Sequence, residues 1–210
     1  MVKSGLIDKP DVSHYRLSIH LTVAFVIYGY LLLIRFSVND FFNKKKIIKK
    51  KQNLYFLNLF LIFLIIITVF SGGMVAGLNA GLVYNTFPLM GDKIIPSEIL
   101  DLNPIFMNFL ENPVTVQFDH RVLGITTFIL SILIWYSSKR YNLPTNTKKK
   151  INILVFAVLF QVFLGIATLI SFVALPFAQI HQLGALVIFT LSIWTLKSLP
   201  FVSKSNKRSI

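Results

Sequence analysis

Three of this chain's four histidines stand where a titratable side chain is costly. His20, His120 and His181 each fall a few residues inside a long apolar run. An ionisable residue within a membrane span is a functional candidate by default, set against the plainer role of a hydrogen bond between helices. A small residue follows each histidine one turn later: Ala24 after His20, Gly124 after His120, Gly184 and Ala185 after His181. Residues three and four apart share a helix face, so this spacing leaves room beside the imidazole for a flat group. Gln161, Gly165 and Thr168 make a comparable stripe, whereas Gly73, Gly77 and Gly81, with Gly72 beside them, fit close helix packing better. The chain has no cysteine, which excludes disulfides, thiolate metal sites and cysteine nucleophiles. Zinc asks for three or four ligands and a polar second shell. Copper finds no Met/Cys set to favour it. Haem iron accepts two axial histidines, and four-helix bundles commonly hold it. His120 and His181 are therefore the predicted pair, with Arg121 a candidate contact for a haem propionate. Asp119 reads as a cap or an ion-pair partner of Arg121. A cofactor-free bundle with histidine hydrogen bonds between helices stays open as the alternative.

The elements that position these residues are membrane helices. The 210 residues are 55% hydrophobic and only 14% charged, with a mean hydropathy of +0.71. That composition excludes an ordinary soluble globule. The net charge of +13 does not indicate nucleic acid, because the basic residues cluster between apolar runs. A span needs roughly 20 apolar residues. Five segments qualify: Leu17 to about Phe36, Leu54 to about Leu78, about Val114 to Ser138, Ile151 to Leu175, and about Phe177 to Leu196. Within lipid these must be helices. The last four predict a four-helix bundle in which the third and fifth segments, separated by the fourth, face each other.

Sixteen of the 21 Lys and Arg fall on one side of this topology, including the run Lys44–Lys51, against five on the other. The basic side is predicted to be cytoplasmic, with the N-terminus outside. All three histidine-bearing helices then run inward, and each histidine lies roughly 5–10 Å below the outer boundary at 1.5 Å per residue. Loops 37–53 and 139–150 are basic. A tight turn is predicted at 176–178. The long outer connection, 79–113, is too apolar to float in water and is expected to lie on the interface or cover the bundle. The first sixteen residues contain no signal peptide yet must cross the membrane, which is expected either of a short N-out tail or of a chain from which a segment before Met1 is absent.

The run SGGMVAGLNAGLVYNTFPLMGDKIIP (Ser71 to Pro96), QFDHR (Gln117 to Arg121), FQVFLGIATL (Phe160 to Leu169) and IHQLGA (Ile180 to Ala185) closely resemble the haem A synthase family. The opening MVKSGLIDKPDVSHYRLSIHL is similar to the family's middle rather than its start. The resemblance implies eight helices in two similar halves, each with a histidine pair on its second and fourth helices. It divides this chain into the last helix of a truncated first half with its basic loop (1–53), a complete second half (54–200) and a cytoplasmic tail (201–210). His120 and His181 then bind haem b, and His20 is a ligand candidate of the substrate half. The catalytic Glu of the family lies in the missing N-terminal part, and three residues before His120 stands Gln117, which cannot serve as a carboxylate base.

The implied reaction is oxidation of a methyl group of haem O to the formyl group of haem A, with water as oxygen source. Haem O is the implied substrate, with membrane lipid around it, contact with haem O synthase, an electron acceptor the sequence does not name, and no nucleic acid. The implied location is the bacterial inner membrane. A non-enzymatic b-type haem protein of electron transfer or assembly is the rival function.

Overall fold

In a computed structural model, residues 13–42 and 52–199 are described. They are all-helical apart from turns and one isolated bridge between Met90 and Lys93. The helices are α1 (His14–Phe42), α2 (Gln52–Gly77), the short α3 (Asn108–Glu111), α4 (Pro113–Ser138), α5 (Thr145–Ile170) and α6 (Leu175–Ser198). Five of them are long and apolar enough to cross a membrane. The protein is a multi-pass membrane protein. The Lys44–Lys51 run and the C-terminal tail lie outside the described residues.

Helix α2 packs on α4, α4 on α5, α5 on α6, and α6 back on α2. This closes a four-membered ring in which α4 and α6 stand at opposite corners, as the segment order predicted. Helix α1 lies outside the ring against α2 and α6. Its seam with α2 is close, because Gly73 and Gly77 of α2 lie against the backbone of Ser18 and His14. A Cβ at Gly73 would come within 2.7 Å of the Ser18 Cα. Packing is thus the role of these two glycines, as the sequence suggested.

The buried apolar cluster fills only one end of the ring. It takes Leu54, Leu61, Leu64, Ile65 and Val69 from α2, but from α4 only Leu130 and Ile134. From α5 it takes nothing after Val158, and from α6 nothing before Ile188. The cluster therefore belongs to the end where Lys139 and Lys150 lie over the rings of Trp135 and Trp194. His120 and His181 occupy the other end.

One boundary departs from the sequence reading. The fourth span was expected over Ile151–Leu175 with a turn at 176–178. Helix α5 instead starts at Thr145 and stops at Ile170. Its first turns hold Lys148 to Lys150, whose long side chains can run along apolar surface to a polar or aromatic partner; Lys150 does so on Trp194. The turn to α6 runs through Phe172 and Val173, both left-handed at φ 55° and 57°. Apolar residues carry no turn signal, so the apolar run hid the reversal.

Candidate functional site

Helix α4 begins with Asn112, whose side chain accepts from the backbone N–H of Val114 and Thr115, and with Pro113 at its first position. Both are strong starting signals. His120 follows seven residues into α4, and His181 six residues into α6, which begins at Leu175. Equal depth on opposite corners brings the two imidazoles toward each other, within electrostatic reach.

Each ring rests on a glycine of the neighbouring helix. A Cβ at Gly72 of α2 would lie 3.1 Å from Cε1 of His120, and one at Gly165 of α5 would lie 2.9 Å from Cε1 of His181. The Nδ1 of His120 is enclosed without a hydrogen-bond partner, and the Thr68 backbone carbonyl faces that ring. His181 is held more tightly. The Gln161 amide Nε2 donates to the His181 backbone carbonyl at 2.7 Å and stands 3.2 Å from Nδ1. Both histidines are half-buried as residues.

The small residues one turn beyond the histidines have different fates. Nothing lies within 4 Å of where a Gly124 Cβ would sit, so the expected space beside His120 is there. Beside His181 the space at Gly184 is filled by the Gln161 side chain. The Gln161, Gly165, Thr168 stripe was read as room for a flat group. Gly165 instead receives the His181 imidazole, since the ring reaches across to α5 rather than staying over its own helix. His20 is exposed on α1 and does not join the other two rings.

The 79–113 connection is tied down at the histidine end. Arg121 donates to the backbone carbonyls of Tyr84 (2.9 Å), Thr86 (2.9 Å) and Leu89 (3.3 Å). Gln117 Nε2 donates to the Tyr84 carbonyl at 2.9 Å, and Asn85 reaches the Leu169 carbonyl at the end of α5 at 2.8 Å. Asn112 Nδ2 donates to the Glu98 carbonyl and Asn108 holds Leu102 and Ile105. The connection thus covers the bundle as expected, while Ile94, Ile95, Ile105 and Phe106 remain more than half exposed, a surface suited to the membrane interface. Among the described residues Asp119 makes no ion pair with Arg121; three converging carbonyls take the terminal nitrogens of the guanidinium instead, while its Nε is enclosed without a partner.

Sequence reasoning missed one cluster. Glu111 accepts from the Tyr15 hydroxyl and lies 3.6 Å from Nε2 of His14, so it fastens α1 to the outer connection. Partners 96 positions apart left no local signal. A groove of about 420 Å³ between α1 and α6, lined by Phe25, Gln179, Gln182, Leu183 and Leu186, includes neither His120 nor His181. Among the described residues no three His, Cys, Asp or Glu side chains gather as a metal-ion site, so a three-ligand zinc site has no donor set there.

Known proteins resemble this chain over nearly its whole length. The chain is 42% identical over 197 residues to the heme A synthase of Nitrosospira multiformis, covering 92% of this chain and 54% of that protein. It is 40% identical over 213 residues to heme A synthase COX15 of Bos taurus, covering 97% and 51%. It is 37% identical over 200 residues to the heme A synthase of Wolbachia pipientis from Culex pipiens, covering 95% and 57%. The chain spans about half the length of the curated relatives it matches. No solved structure matches it. The family described as cytochrome oxidase assembly protein, COX15-CtaA, matches residues 1–193, and the chain belongs to that family.

Proposed function

We propose that residues 54–200 form the haem b-holding half of a haem A synthase, an oxidoreductase that converts a methyl group of haem O to the formyl group of haem A. The carrying observation is the pair of imidazoles on opposite corners of the ring, at an end where the apolar cluster is missing. The residues present fit a haem. Two histidines meet its axial requirement, His120 carries an enclosed Nδ1 without a partner, and Gly124 leaves open space one turn away. A haem held there would supply one-electron transfer. The chain's own residues orient the two ligands, cover the end with 79–113 and keep the lysine end closed by apolar packing.

Arg121 places a positive charge next to His120 and is the proposed propionate contact, although in this conformation its N–H groups hold the loop carbonyls. Gln117, bonded to the Tyr84 carbonyl, is a loop anchor rather than a base. The catalytic carboxylate and the haem O site belong to the other half of the whole protein, with His20 on α1 a ligand candidate there. The uneven Lys/Arg distribution supports a lysine end that faces the cytoplasm, in what we read as the bacterial inner membrane.

Purified protein is expected to show a low-spin, six-coordinate haem spectrum that His120→Ala and His181→Ala each abolish. An unchanged spectrum in either variant rejects the assignment. The absence of a carboxylate at position 117 favours a second reading, a b-type haem protein of electron transfer or assembly. Haem O and haem A extracted from cells with and without the chain separate the two.

A further inference from the structure

Among the described residues, four close glycines meet backbone or an ordinary apolar side chain. Gly73 and Gly77 meet the α1 backbone, Gly29 meets Phe189, and Gly81 meets Val173. Gly72 and Gly165 are different, because the three nearest atoms to each missing Cβ all belong to one imidazole. The order and spacing repeat. Cε1, Nδ1 and Nε2 of His120 lie 3.1, 3.8 and 3.9 Å from the Gly72 position, and those of His181 lie 2.9, 3.5 and 3.7 Å from the Gly165 position. In both cases the Cε1 edge abuts the glycine and the two nitrogens flank it.

The surroundings repeat as well. Four residues before each glycine stands a backbone carbonyl that faces the ring, that of Thr68 for His120 and that of Gln161 for His181. The α2–α4 pair and the α5–α6 pair therefore present the same arrangement: a ring from one helix, and a glycine with the carbonyl one turn earlier on its neighbour.

We propose that Gly72 and Gly165 are paired positioning residues, each a bare patch of helix that fixes the tilt of one imidazole. The carbonyl one turn earlier flanks the same ring. This rests on the reading of His120 and His181 as axial ligands. The outer partner of a ligating histidine fixes its tautomer and orientation and raises its basicity, and axial-ligand geometry is one of the protein's levers on haem potential. A methyl group at Gly165 would stand 2.9 Å from the ring, closer than Cβ contacts persist, and one at Gly72 would stand 3.1 Å away, so the His120 ring must give by a few tenths of an ångström. The push is harder at Gly165, where Gln161 also pins the His181 backbone.

The test compares Gly72→Ala, Gly165→Ala and Gly29→Ala with the parent, in full chains purified with haem. Gly29 is the packing control, because its missing Cβ would lie 2.9 Å from Phe189 and not from a histidine. Read-outs are helicity, the low-spin electron paramagnetic resonance g-values and the reduction potential. Gly72→Ala and Gly165→Ala are expected to keep haem but alter the g-values. They are expected to change the ratio of ferric to ferrous affinity at least tenfold, about 59 mV for one electron, with Gly165→Ala the larger. Gly29→Ala is expected to leave both parameters in place. Unaltered g-values and potential in both alanine variants overturn the positioning role. So does an equal shift in Gly29→Ala, or failure of both variants to assemble, which would make the glycines packing residues only. His120→Ala and His181→Ala run alongside: if they keep the parent spectrum, the axial-ligand reading fails rather than the glycine inference.

Discussion

Replacing Asn112 by Ala tests how firmly the outer connection is joined to the helix that carries His120. The side chain is 7% exposed and does two jobs. Its Oδ1 accepts from Val114 N–H at 2.9 Å and Thr115 N–H at 3.3 Å, capping α4. Its Nδ2 donates to the Glu98 carbonyl at 2.9 Å and to Asn108 Oδ1 at 3.0 Å. Loss of an N-cap costs about 1 kcal/mol, and each buried hydrogen bond contributes about 1 kcal/mol net. The total is about 3 kcal/mol, or roughly a hundredfold in the opening equilibrium of residues 98–112. Cleavage of that segment tracks the open population when reclosure is fast. Limited proteolysis in detergent should therefore run about a hundredfold faster in Asn112→Ala. Asn112→Asp keeps the capping oxygen and adds a charge favoured at a helix N-terminus by about 0.3–1 kcal/mol, while losing both Nδ2 bonds. It should fall between parent and Ala. Equal rates for Ala and parent, or Asp as fast as Ala, would refute the division of labour assigned to this side chain.

Two other sites give independent checks. Asn58 is fully buried in α2, and neither of its side-chain polar atoms has a partner. An unsatisfied buried amide costs about 1–3 kcal/mol, so Asn58→Leu is expected to raise the thermal midpoint, and a fall would disprove that the amide is orphaned. Glu98 sits outside the membrane helices, where its own backbone N–H, and then the Tyr84 hydroxyl at 3.2 Å, hold its carboxyl below the ordinary value of 4.5. Stabilisation of the loop by this carboxylate is thus present above pH 4.5 and lost as pH falls through the lowered value. Pepsin resistance of the loop should decline over that window in the parent, and Glu98→Gln should remove the decline; an identical profile in both would exclude Glu98 as its source.

The five spans, their order and the positions of the imidazoles along them are legible in the residue types alone. Apolar length decides what crosses a membrane, and an imidazole inside such a run stands out against it. The tertiary structure decided what each small residue faces. Gly72, Gly73, Gly124 and Gly165 look alike in a string of letters, yet they meet an imidazole, a helix backbone, open space and a second imidazole. It also placed the Tyr15–Glu111 contact, the α5–α6 reversal through Phe172 and Val173, and the carbonyls that occupy Arg121. Those facts depend on the relative rotation of neighbouring helices and on partners tens of residues apart, and neither is written into local periodicity.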